Sequence, residues 1–362
     1  MYTDSDLTDA VQAGVLTPQT AADFRAFIAH TRAPASADEE QFRLLTGFND
    51  IFVSIATILV LVGVGFVGDR IASATGTGLA DAATAWVLAL YFTARRRMAL
   101  PSIVLLFGFL LGLAYAVFGL VGAQFPWWLV FHQQALLPSP RSMPEFVVFA
   151  AAAVVTLGAW LHWRRFKVPI TIACTTATTL FAAATLVIIL IPGADKFPDT
   201  LTLIAGLATF AYAMRWDLSD PTRTTYRADV AFWLHLLAAP LIVQPIFDAL
   251  HLMIGGVVEP PTAALEHGAI AVVLYLILII VSLAIDRRAF LASALIYVVA
   301  ALNEIFHASG VVSSNLAVIG LAIGAALLFL SAFWSQSRAQ TLRALQILHV
   351  PKILLDSLPQ PR

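Results

Sequence analysis

The sequence predicts an all-α fold, a polytopic transmembrane bundle of about ten spans preceded by a small cytoplasmic helical segment. Three observations predict it. Sixty per cent of the 362 residues are hydrophobic and only 12% are charged, against roughly 25% charged in an ordinary soluble domain. The apolar residues gather into runs near the length of about 20 residues that crosses a bilayer. The basic residues fall in every second gap between those runs, as the positive-inside rule requires of a multi-span chain.

The elements follow in order. Residues 1–50 are polar and form the first unit, a helical segment with a linker. Ser5 to Gly14 and Thr17 to His30 each read as a short helix, the second opened by Thr17 as N-cap and Pro18 at the first helical position. Leu7, Val11, Leu16, Phe24, Phe27 and Ile28 are positioned to pack the pair together, and residues 31–41 read as a linker. No apolar leader precedes Asp50, so no cleavable signal peptide is expected and the first span serves as the anchor.

The transmembrane unit covers 51–336, with spans at 51–68, 80–94, 99–122, 145–163, 169–191, 200–214, 230–254, 264–285, 289–308 and 314–334. Turn residues punctuate them: Arg95-Arg96-Arg97, Pro138-Ser139-Pro140, Arg164-Arg165, Pro192-Gly193, Asp220-Pro221, Pro260-Pro261 and Asp286-Arg287-Arg288. Trp127 and Trp128, in the loop 123–144, suit the headgroup level. The last unit, 337–362, carries Leu342, Leu345 and Leu348 between Arg338, Arg343 and Gln346. It reads as an amphipathic tail on the inner membrane surface.

With the N-terminus inside, inner segments hold eighteen of the 21 Lys and Arg, and outer loops hold only Arg70, Arg141 and Lys196. This places both termini in the cytoplasm. The lipid bilayer is the expected partner. A formal net charge of −1 argues against a nucleic-acid partner. Cys174 is the only cysteine, which excludes an intramolecular disulfide and argues against a thiolate metal centre.

Several motifs have plain structural readings. Gly63-Val64-Gly65-Phe66-Val67-Gly68 matches the dinucleotide-binding glycine pattern, but it closes an apolar helix instead of following a strand. Close helix packing by small residues explains it, as it does the Gly108/Gly112 and Gly320/Gly324 pairs. Asp81 and Glu145 are read as opening helices, where a carboxylate suits the helix dipole, and His162 as an interfacial group. Three basic turns, RRRMALP, RRFKVPI and DRRAFLA, read as ordinary tight hairpins more readily than as an internal repeat. There is no Walker loop, and no nucleophile has an evident base beside it, so an ATP-driven pump within this chain is not expected and enzymatic activity is not the first expectation.

Two spans carry ionisable residues without such an explanation. The seventh, ADVAFWLHLLAAPLIVQPIFDALHLMIGG, is interrupted by Pro240 and Pro245, and broken helices at mid-depth recur at transport sites. At about 100° per residue, Gln244, Asp248 and His251 share one side and His235 takes the other. In the ninth span Asn303, Glu304 and His307 share a face. Asp248 with His251 and Glu304 with His307 are the same device, an acid and an imidazole three residues apart at matched depth. Glu266 and His267 begin the eighth span at the same level.

Gln244, Asp248, His251, Asn303, Glu304 and His307 are therefore the expected site for a small solute, proton or cation, in a permease-like or sensing protein without a cofactor. The alternative is a metal-dependent membrane enzyme in which Asp248, His251, Glu266, His267, Glu304 and His307 hold a divalent ion such as zinc. The plainest reading is an interhelical hydrogen-bond cluster in a structural or accessory protein.

The opening LTDAVQAGVLTPQTAADFRAFI, above all Ala13-Gly14-Val15-Leu16 and the helix after it, resembles a class of uncharacterised bacterial membrane proteins. In these, a short N-terminal helical segment precedes a multi-helix membrane domain. The resemblance covers about thirty residues. It implies a bacterial inner-membrane location and brings no assigned activity or site residue.

Overall fold

The structure is a computed structural model that describes residues 4–24, 48–124, 142–220, 225–249, 261–288, 291, 295, 299 and 315–347. The chain divides into two compact units, Met1–Phe42 with Arg362, and Arg43–Pro361. The described residues are helices joined by turns, with no strand among them.

In the first unit, α1 (Asp4–Gln12) ends at Gly14, whose φ of 74° is left-handed. The Val15 N–H reaches back to the Ala10 carbonyl and the Gly14 N–H to Val11, which closes the helix in a Schellman turn. Residues 18–24 form the next helix. The expected cap is present: the Thr17 hydroxyl accepts from the Thr20 N–H at 3.1 Å. Leu7 and Ala21 are buried, whereas Phe24 stays exposed. Phe27 and Ile28 lie outside the described residues.

The second unit begins with α2 (Phe48–Phe92), 45 residues long. It is not one rod. Ala72 and Ser73 leave helical geometry, and residues 74–92 fold back along 48–71. Gly68 and Gly76 meet backbone to backbone at the fold, so that a methyl group on either would overlap the other. Further along, Leu61 packs on Ala85. The first two predicted spans are thus the two arms of one hairpin, whose second arm begins at 74 and not at 80. Its register follows from small residues: Gly65, Gly68, Gly78, Ala82, Ala85 and Ala89 are buried along the arms, and small side chains let helices approach closely in lipid.

The next helices are α3 (Ala99–Gln124), α4 (Ser142–Phe166), α5 (Ile170–Leu190), α6 (Pro198–Leu218), α7 (Tyr226–Ala249), α8 (Pro261–Ile285), α9 (Asn315–Ala332) and α10 (Trp334–Ile347). Among the described residues, five helices are long and apolar enough to cross a membrane: α2, most of α3, most of α4, α5 and α7. Helix α3 lies on α2, α4 joins α3 to α5, and α7 packs on both α5 and α6. The predicted glycine pair of α3 behaves as expected, since a Cβ on Gly112 would press on the Gly78 carbonyl oxygen and the Ala82 nitrogen at 2.7 Å each. For the other pair, a Cβ at Gly320 or Gly324 on α9 would meet nothing within 4 Å among the described residues.

The three basic turns share a device. Each of these turns holds a non-glycine residue in the left-handed region: Arg97 (φ 53°), Lys167 (φ 57°) and Asp286 (φ 57°). Such residues are uncommon and need fixing by their surroundings. Behind Arg97 and Lys167 come Met98 and Val168, which turn inward as apolar plugs. Behind Asp286 comes Arg287, also buried. The predicted ninth span at 289–308, the Trp127–Trp128 loop and the tail beyond Ile347 fall outside the described residues, apart from the isolated positions 291, 295 and 299.

Candidate functional site

Helix α7 organises the polar chemistry. Pro240 and Pro245 lie inside it, but they do not break it as the sequence suggests: the helix continues through both. Its apolar face, with Ala239, Val243 and Phe247, forms a core with Tyr275, Leu278, Leu283 and Ile285 of α8 and Trp334 of α10.

One turn before Ala239, His235 is wholly buried. Its Nε2 lies 2.8 Å from Oδ2 of Asp217, at the end of α6. Arg287, 2% exposed, reaches the same carboxylate from the turn after α8, with Nε on Oδ2 and Nη2 on Oδ1. Burial alone would raise the Asp217 carboxyl. The His235 hydrogen bond and the charge and hydrogen bonds of Arg287 more than offset it and hold it at about 2. Asp217 is therefore an anion that accepts, so His235 carries its proton on Nε2 in this bond. Phe210 packs edge-on against the imidazole, with ring centroids 5.4 Å apart.

Backbone geometry aims Arg287. Its N–H bonds the Ser282 carbonyl and the Asp286 N–H bonds Leu283, the two bonds of a Schellman turn. The Ser282 hydroxyl then donates to the Arg287 carbonyl. Asp286 serves the neighbouring helix: its Oδ1 accepts from Trp334 Nε1 at 2.8 Å and stands 3.7 Å from Arg338 Nε. Two buried arginines are thus matched to two acids where α6, α7, the α8 turn and α10 converge. Sequence reasoning missed this cluster. Asp217 and Arg287 were counted only as topological charges, and His235 only as lying opposite the expected site. The partners are 18 and 70 residues apart, beyond any local spacing rule.

Farther along α7 the expected residues are partly in view. Gln244 and Asp248 lie one turn apart on the helix, as read from the sequence. Asp199, exposed in the first turn of α6, lies within electrostatic reach of Asp248. Asp248 Oδ1 is buried without a hydrogen-bond partner. His251, Asn303, Glu304 and His307 lie outside the described residues. Glu266 and His267 fall within α8, and their side chains lie outside the description too. Among the described residues no three His, Cys, Asp or Glu side chains converge as a metal site requires.

His162 departs from its expected solvated role. It is fully buried, packed among Trp86, Phe109 and Phe166 with ring centroids 6.1, 6.0 and 4.6 Å away. Its Nδ1 is 3.4 Å from the Thr171 hydroxyl. Compared with known proteins, the chain matches no family model, no curated protein and no solved structure.

Proposed function

We propose that this chain is a permease-like or sensing protein of the bacterial inner membrane. In this reading it crosses the bilayer ten times with both termini in the cytoplasm, and it moves or detects a small solute or ion. Gln244 and Asp248 line the site, together with His251, Asn303, Glu304 and His307.

The observation that supports this reading is Asp248 itself, an acid with one buried carboxylate oxygen lacking a hydrogen-bond partner, carried on an apolar helix long enough to cross a membrane. An unmatched carboxylate in such a helix draws in a cation or takes up a proton. Ionisable groups inside membrane segments are costly and mark ion and proton pathways. The buried Asp217–His235–Arg287 cluster holds the same helix near its middle, giving α7 a fixed point.

Purified protein in liposomes loaded with a pH-sensitive dye tests the proposal, with a potassium diffusion potential to drive proton entry. Entry above that of empty liposomes is expected, falling at least tenfold in Asp248→Asn and in Glu304→Gln. Wild-type entry equal to the empty control, or full entry in both variants, would sink it.

A further inference from the structure

A second carboxyl has no place in that scheme. Asp81 reads from sequence as a helix-opening residue, yet its helical arm begins at 74, so it lies about two turns inside. The dipole of the helix start does not reach it there, because that effect fades within the first turn. The side chain faces the first arm of the hairpin. A Cβ built on Gly65 would lie 3.2 Å from both Asp81 carboxylate oxygens, so the carboxyl rests in the space a missing side chain leaves. One turn earlier on the same face, the Thr77 hydroxyl donates to the Gly65 carbonyl at 3.1 Å. That hydroxyl is therefore spent on backbone. Asp81 Oδ1 is buried and has no hydrogen-bond partner.

The elements packed around it offer no counter-charge. The arm 74–92 holds no other charged residue. Helix α3 holds none either, and Tyr115 is its only titratable side chain. On the first arm, Asp50 lies at the far end, and Asp69 and Arg70 are exposed near the fold. An ionised carboxylate held among apolar helices without a cation is costly, and the group neutralises instead.

We propose that Asp81 is a proton-binding site built into the α2 hairpin, with Gly65 as its cradle. It is separate from the Asp248 site, and its test does not depend on transport.

Dicyclohexylcarbodiimide provides that test on the full chain in detergent. The reagent adds to a protonated carboxyl in an apolar setting. The carboxyl oxygen bonds to the carbodiimide carbon, the acid proton passes to one nitrogen, and the acyl group then shifts to nitrogen. The whole reagent is retained with no leaving group, so peptide mass spectrometry locates the adduct. At neutral pH, Asp81 should be labelled at least tenfold faster than the exposed Asp69 of the same hairpin. The rate should fall as pH rises and be the same in sodium and choline chloride. Asp81→Asn should lose the adduct, and Gly65→Ala should change the Asp81 rate severalfold because the carboxyl must move. The wild-type protein alone decides the matter: no adduct on Asp81, or labelling no faster than at Asp69, overturns the proposal. Protection by sodium and not by choline overturns the proton in favour of a sodium ion.

Discussion

Helix α7 carries ionisable groups at two levels, His235 near its middle and Asp248 farther along, and the two are built in opposite ways. At His235 each polar atom of Asp217 meets a partner, the residues are closed from solvent, and the partners come from three separate elements. At Asp248 one carboxylate oxygen is buried and left unmatched, with a second acid, Asp199, within electrostatic reach. The first arrangement resists change, because removing any member strands a buried charge. The second lacks compensation and gains from a proton or cation that enters. A membrane helix with one satisfied and one unsatisfied level has its anchor and its responsive part assigned by electrostatics.

The largest effect should come from breaking the satisfied level. Asp217→Ala leaves Arg287 buried without its carboxylate, and such losses cost about 3–5 kcal/mol. Thermal melting in detergent should show it as a clear drop, and an unchanged midpoint would erase the distinction between the two levels.

A smaller effect comes with acid. The Asp217 carboxyl lies at about 2 in the folded protein against an ordinary 3.8, so the unfolded chain takes up the proton first as pH falls. The contribution is whole above pH 3.8 and disappears as pH drops toward 2. Melting temperatures of the wild type should decline through that window, and Asp217→Asn should lack that component.

The smallest effect belongs to the unsatisfied level. Asp248→Asn should shift stability by no more than about 0.5–1 kcal/mol, since no cation loses a partner. Melting of that variant sharpens the comparison when set beside its proton entry.

Much of the fold was legible because hydropathy and turn chemistry are local. The helices at 99–122, 145–163, 169–191, 264–285 and 314–334 were read to within a few residues, and so was the Thr17 cap. The fold at Ala72–Ser73 was not, because SATGTG reads as loop chemistry. Only the approach of Gly68 to Gly76 shows why helix runs almost to the tip. In the expected site, one-turn spacing placed Gln244 and Asp248 together. Asp199 could not be foreseen, because it comes from a different helix. The Asp217 cluster joins residues across two helix boundaries: Arg287 has a sufficient explanation as a basic turn residue, Asp217 belongs to no local motif, and His235 falls on the side of its helix opposite the expected site.

The hairpin turn at Ala72–Ser73 has a consequence for how the chain enters the bilayer. Two helical arms joined by so short a bend cannot be inserted one at a time, so they must pass into lipid as a pair. In the proposed topology, where Arg95, Arg96 and Arg97 stay on the side of synthesis as basic clusters do, the tip is the part that travels. It takes Asp69 and Arg70 with it. Adjacent and opposite in sign, they carry no net charge through the membrane voltage, which acts on each uncompensated elementary charge with about 2.3 kcal/mol per 100 mV.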